Sequence, residues 1–134
     1  MSSNNIIVQQ WDIWLANFPY DDDPEQVKPR PVIVLSVDPL FILSVKVTKH
    51  SPWINDTFDV PITKWRESEL KYPSTARIAK SINISYENLN CKLGILHNDE
   101  RVKIITAYFN YVSQRQADER AEDKDAETAD ELVD

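Results

Sequence analysis

The chain has 134 residues, enough for one domain with a sizeable core and too few for two ordinary ones. Its 42 % apolar content and mean hydropathy of −0.46 describe a globular chain, and no apolar run approaches the ~18 residues that a membrane span needs. The formal charge of −7 is lopsided: residues 114–134 hold nine acids against three bases, so this tail carries −6 and residues 1–113 about −1, which leaves the body open to an anionic partner.

A lone cysteine, Cys91, excludes an internal disulfide and is expected as a buried, small apolar residue; no Cys/His spacing suggests a metal site. The opening "MSSNNIIVQQ" lacks a basic stretch followed by an apolar one, so no signal peptide is expected. These features predict a soluble, cytoplasmic protein without a membrane partner.

In chain order, "IIVQQWDIWLANF" (6–18) is rich in β-branched and aromatic residues and predicts one or two strands, with Trp11 and Trp14 on opposite faces. "PYDDDPEQVKP" is a loop punctuated by Pro19, Pro24 and Pro29. Residues 31–36 predict a short central strand, with Pro31 at its first position because it has no N–H to give. Asp38-Pro39 is a turn, and "LFILSVKVT" (40–48) alternates as a strand. After a loop, "FDVPI" predicts a short strand and "TKWRESELK" a helix capped by Thr63, with Trp65 and Leu70 facing inward. "STARIAKSINI" returns to strand, and "SYENLNCKLG" suggests a helical turn from Ser85 that closes near Gly94, the only glycine. From Asn98 onward Val102, Ile105, Phe109 and Val112 recur at helical spacing, predicting a terminal helix capped by Asn98 or Asp99. The sum is mainly β with helices (α+β): a small, SH3-like, partly open β-barrel with a C-terminal helix over residues 1–113, then an acidic extension over 114–134 that is either disordered or a solvated continuation of that helix.

One segment stands apart. In "QVKPRPVIVLS" (26–36) Arg30 lies between two prolines, which fix their own φ and push Lys28 and Arg30 toward extended backbone. A preset backbone suits a guanidinium aimed at a phosphate. It equally suits a loop arginine paired with Asp21, Asp22, Asp23 or Glu25, and the segment alone leaves both readings open.

The order of motifs narrows the choice. "WDIWLANFPYDDDPEQVKPRPVIVLS" resembles the opening of the MazF/PemK family of toxin ribonucleases: an Asp12-Ile13-Trp14 strand, a loop with Glu25, then Arg30-Pro31-Val32 and more aliphatics. "ILSVKVTKHS" is similar to the family strand ending in a threonine. "PSTARIAKSINISYENLNCKLGIL" resembles the family segment Ser-x-x-Arg-x-x-Lys followed by Leu-Gly-x-Leu. The resemblance runs in order over about residues 10–105.

That resemblance implies a CcdB/MazF/PemK-like barrel that forms a homodimer, with single-stranded RNA and a cognate antitoxin competing for one groove. It implies metal-independent cleavage by attack of the ribose 2′-hydroxyl on the adjacent phosphorus, needing no cofactor, in which Arg30 polarises the phosphate and Thr48 binds a phosphoryl oxygen. Such donors act by matching the charge that gathers on a pentavalent phosphorane. Some relatives carry an acid two residues after the arginine of the third motif; here that position is Ala79, which leaves Arg77 and Lys80 as phosphate ligands or as partners of Glu67 or Glu69. The two face opposite sides of a regular strand and share a side only across a bulge.

Lys28, Lys49, Arg77 and Lys80 complete a basic groove around Arg30, and His50, two residues past Thr48, is an RNA contact or a base. Trp53 is a candidate for stacking on an unpaired base, or for packing beneath its loop. The acidic tail is a solvated appendage or an imitation of RNA laid over that groove. Two other functions remain compatible with the barrel: a non-catalytic module that binds a protein such as gyrase or DNA, and an inactive homologue retained for its antitoxin.

Overall fold

The computed structural model describes residues 7–20, 22–51 and 57–133, with side chains to residue 122. Six strands follow one another: β1 (Asp12–Pro19), β2 (Val27–Val37), β3 (Phe41–Thr48), β4 (Asp59–Ile62), β5 (Ser74–Ser85) and β6 (Leu89–Ile95). One helix, α1 (Asn98–Val133), closes the chain. The strands form a single open antiparallel sheet in the order β4-β5-β3-β2-β1-β6. This is the expected α+β architecture.

The run Val32-Ile33-Val34-Leu35 is apolar throughout because both faces of β2 are buried. Ile33 and Leu35 enter one cluster with Ile13, Val45, Val47, Ala76 and Ile104. Val32 and Val34 enter the other with Trp14, Ala16, Phe18, Ile42 and Ile84. Helix α1 covers the first face, packing on β5 and β4, and its Tyr111 meets Phe58 edge-on at 5.3 Å. The second face carries the candidate site.

Five expectations change. β2 begins at Val27, so Pro29 and Pro31 lie inside it, opposite Asn17 and Leu15 of β1. Its ladder to β3 starts only at Val32↔Lys46, so the missing proline N–H groups face a flank where no bond is broken. The helix expected at "TKWRESELK" is a run of turns, in which Ser68 N–H donates to Lys64 C=O and Glu69 N–H to Arg66 C=O. Glu69 there has φ 64°, the left-handed region that ends any helix. Trp65 and Leu70 still pack inward as expected.

"SYENLNCKLG" forms one 3₁₀ turn (Tyr86–Asn88) and then strand β6, with Gly94 inside the strand. Glycine is needed at that point because a Cβ would come within 2.5 Å of Ser68 O and 2.8 Å of Glu69 Cβ. Cys91 is exposed on edge strand β6, within a run of three exposed residues from Asn90 to Lys92. Finally, α1 buries Ile104, Ala107, Tyr108 and Tyr111 rather than Val102 and Phe109, which are 72 % and 62 % exposed. The helix begins at Asn98, and the His97 imidazole caps it by accepting from Asp99 N–H at 3.1 Å. α1 continues without a break into the acidic extension.

Candidate active site

The second face of the sheet is apolar at one end and basic at the other. Along β2 the residues of this face run Val34, Val32, Arg30, Lys28, passing from buried valines to a half-buried arginine and an exposed lysine. β3 runs the other way beside it, through Ile42, Ser44, Lys46 and Thr48. Three pairs fix a constant register, Val34↔Ser44, Ile33↔Val45 and Val32↔Lys46. Carried two residues further, that register sets Arg30 opposite Thr48, and residues opposite one another in an antiparallel pair share a face.

Arg30 is half-buried, and its Nε is fully buried without a hydrogen-bond partner. A buried donor left unsatisfied costs roughly 1–3 kcal/mol. Among the described residues no carboxylate pairs with Arg30, so the clamp by Asp22, Asp23 or Glu25 does not form; Asp21 lies outside the described residues. Thr48 is buried, and its Oγ1 accepts from His50 N–H at 3.4 Å, leaving the hydroxyl proton to donate.

β5 extends the basic patch. Its Thr75 and Arg77 stand opposite Thr48 and Lys46. One step along β3, from Val45 to Lys46, jumps from Ser81 to Arg77, so Ile78, Ala79 and Lys80 bulge from the ladder. Ser81 Oγ donates to Ile78 C=O at 2.7 Å across this bulge, and Tyr111 of α1 donates to Ala79 C=O at 3.4 Å. Lys80 is thereby taken out of the regular alternation, half-buried within the bulge.

Arg77 is not paired with Glu67 or Glu69. Its Nε donates to Asp59 Oδ1 at 3.2 Å, from the directly opposite position on β4, and the Asp59 side chain is completely buried. Position 79 supplies no carboxylate, and a different strand brings one to this guanidinium. Lys46, which the sequence did not single out, is 5 % exposed with its ammonium 5.8 Å from the Phe18 ring centre.

The remaining candidates sit at the rim. Lys49 is exposed, with its ammonium 5.2 Å from the Tyr72 ring centre. The exposed His50 is held through its backbone, its C=O accepting from Thr75 Oγ1 at 2.6 Å. Trp53 lies outside the described residues. The described part of the acidic extension, residues 114–133, continues the helix that packs on the other side of the sheet, so it does not lie across Arg30 and Thr48. Among the described residues no cluster of His, Cys, Asp and Glu could hold a metal ion, and no helix is long and apolar enough to cross a membrane.

The sheet and its site can be set beside known proteins. The family model for PemK-like, MazF-like toxins of type II toxin–antitoxin systems matches residues 9–112. Among curated proteins the sequence finds no match. Solved structures with the same fold include an endoribonuclease in complex with its cognate antitoxin from a mycobacterial species, at 13 % identity and TM-score 0.64 over 80 % of this chain and 96 % of that one. The Mycobacterium tuberculosis toxin MazF-mt6 matches at 19 % identity and TM-score 0.59, over 76 % and 96 %. A mycobacterial endoribonuclease matches at 14 % and 0.60, over 79 % and 91 %. With most of its length matched by the family model, the chain belongs to the PemK-like, MazF-like toxins of type II toxin–antitoxin systems.

Proposed function

We propose that the chain is a toxin endoribonuclease that cleaves single-stranded RNA without a metal ion and is held in check by a cognate antitoxin. What supports the reading is a half-buried Arg30 with no carboxylate partner among the described residues, on the strand face that the β2–β3 register, extended two residues past its last pair, gives also to Thr48. The ribose 2′-hydroxyl attacks the adjacent phosphorus. A P–O2′ bond forms and the P–O5′ bond breaks, leaving a 2′,3′-cyclic phosphate and a 5′-hydroxyl. A guanidinium holds its proton too tightly to act as the acid, so Arg30 serves by charge, and proton exchange is left to water or a neighbouring group. Thr48 donates to a phosphoryl oxygen. Both groups are fixed before the charge develops, the condition under which one donor is worth about 10²–10³ in rate.

Lys28 continues the basic line from Arg30, and Lys49, His50, Trp53, Arg77 and Lys80 are assigned to binding the flanking RNA backbone and bases. The protein works as a cytoplasmic homodimer. The exposed Val102 and Phe109 on the outer side of α1 favour association, since burying them against a second copy removes apolar surface from water.

The test is incubation of the purified protein with a long, unstructured RNA in EDTA, followed by chemical mapping of the ends. Cyclic phosphate ends are expected with the wild type and should fall at least about a hundredfold with Arg30→Ala. Cleavage by Arg30→Ala within threefold of the wild-type rate would defeat the assignment, as would wild-type cleavage that EDTA abolishes.

A further inference from the structure

Lys46 is a lysine buried on the face of the sheet that carries the candidate site. It is 5 % exposed and lies two residues before Thr48 on β3, so strand alternation gives both side chains to that face. Its neighbours across the sheet are Val32 of β2 and Arg77 of β5.

One contact fixes the direction of the side chain. Its ammonium lies 5.8 Å from the centre of the Phe18 ring. Phe18 stands opposite Lys28 of β2, whereas Lys46 stands opposite Val32, four residues further along that strand. The lysine arm therefore runs lengthwise over the face, from the level of Val32 toward that of Lys28. Between them lies the level of Arg30, whose partner on β1 is Ala16. Ala16 is too short to block the way, so the ammonium reaches this level, which the β2–β3 register extended past its last pair gives also to Thr48. Phe18 and Val32 are buried and keep bulk water from its inner side.

The chemistry of that level lacks a proton donor. Departure of O5′ from phosphorus needs a proton, and a guanidinium does not release one. An ammonium held inside a protein does exchange its proton, the property on which catalytic lysines depend. We propose that Lys46 is the acid of the cleavage reaction, its ammonium delivering a proton to O5′ as the P–O5′ bond breaks. The inference rests on the nuclease reading. The 2′-hydroxyl loses its proton to water as the P–O2′ bond forms. O5′ takes the Nζ proton and leaves as a neutral hydroxyl, and the amine regains a proton from water. Arg30 and Thr48 keep the non-bridging oxygens.

The test compares two RNAs that span a mapped cleavage site and differ only in the bridging 5′ atom, oxygen in one and sulfur in the other. A thiolate leaves without a proton, so loss of the acid matters only for the oxygen substrate. Lys46→Arg keeps the charge but holds its proton, and Lys46→Met keeps the apolar stem. Both should cleave the oxygen substrate about 10²-fold more slowly than the wild type, and the sulfur substrate within about threefold of it. A misfolded variant cannot cleave the sulfur substrate, so this rescue reports chemistry rather than folding. Thr48→Val, which removes a donor to the phosphorane, should slow both substrates about equally. If the Lys46 variants cleave the oxygen substrate as fast as the wild type, or lose both substrates equally, Lys46 is not the acid and the nuclease reading survives. If the wild type cleaves neither RNA, both readings fall.

Discussion

Glu100 offers the most direct check on how the rim of the site is held. It lies in the first turn of α1 with its side chain 1 % exposed. Its Oε1 accepts from Thr63 Oγ1 at 2.6 Å and from Lys64 N–H at 2.7 Å, and Lys103 Nζ lies 2.6 Å from Oε2. Burial alone would raise its pKa, but the contacts from Lys103, Thr63 and the Lys64 N–H together hold it below the usual 4.5. Two hydrogen bonds to an ionised acceptor are worth roughly 1.5–3 kcal/mol each, and the half-exposed Lys103 adds at most ~1. Allowing for rehydration of the exposed Thr63, Glu100→Ala should cost about 3 kcal/mol, near 10 °C in Tm.

Glu100→Gln separates charge from shape. Both hydrogen bonds fall on one oxygen, so the amide keeps them in neutral form and turns its NH₂ toward the Lys103 ammonium. It should cost about half as much. The pH dependence has a fixed sign. A depressed carboxylate pKa gives stability that is present above the unfolded value and lost as pH falls through the folded one. Urea unfolding at pH 7 and at stepwise lower pH should therefore show the gap between wild type and Glu100→Gln closing below about pH 4.5. A gap that stays constant across that range, or Glu100→Gln as stable as wild type at pH 7, would refute the account.

Three further outcomes follow from other parts of the fold. Thr48→Val keeps shape and removes the hydroxyl, so it should lower cleavage by about 10²-fold with Tm within a few degrees of wild type; a large loss of Tm would make Thr48 structural. Asp59→Asn leaves the Arg77 guanidinium facing a neutral acceptor in a buried site, so RNA binding measured by salt titration should weaken while folding is retained, and an unchanged salt slope would remove Arg77 from the interface. Gly94→Ala drives a methyl group against the Ser68 carbonyl, a backbone atom that cannot move aside, and should cost roughly 2–3 kcal/mol by urea unfolding; a neutral result would show that the 63–70 turns sit further from β6.

The strands were legible because their alternation reports which side faces a core, and β3 shows it in Val45 and Val47 against Lys46 and Thr48. Face assignment failed where something outside the local window changed the count. In β5 both Ala76 and Ile84 are even-numbered and buried, yet they lie on opposite faces, because the bulge at 78–80 shifts the phase between them. In α1 two apolar stripes have the same period, and only the position of the sheet decides that Ile104 and Tyr108 face it while Phe109 does not. The segment 63–71 has helical composition, but the close approach of Gly94 and the left-handed Glu69 impose turns. Among the proposed site residues, Arg30 and Thr48 could be named from motif order, but whether they share a face depends on strand register, which one sequence does not display. Asp59 was missed for the same reason: it is 18 residues from Arg77 and meets it only through the β4–β5 pairing. The acid inside the short apolar strand "FDVPI" was the available signal.

The prolines around Arg30 gain a second meaning from this register. Two adjacent strands ordinarily zip until one of them ends, and a β3 that reaches Thr48 has length enough to pair with β2 as far as Arg30. Pro29 and Pro31 prevent it, because on the flank toward β3 neither has an N–H to give, and the ladder stops at Val32↔Lys46. On the other flank β1 pairs with β2 all the way to Val27, so the Arg30 backbone stays straight and fixed. Extending the register two residues past its last pair would set the proposed guanidinium and hydroxyl opposite each other across a seam that the backbone does not close. A phosphodiester supplies acceptors to both sides of such a seam. An N–H restored at position 31 would compete with it by letting the two strands bond to each other instead.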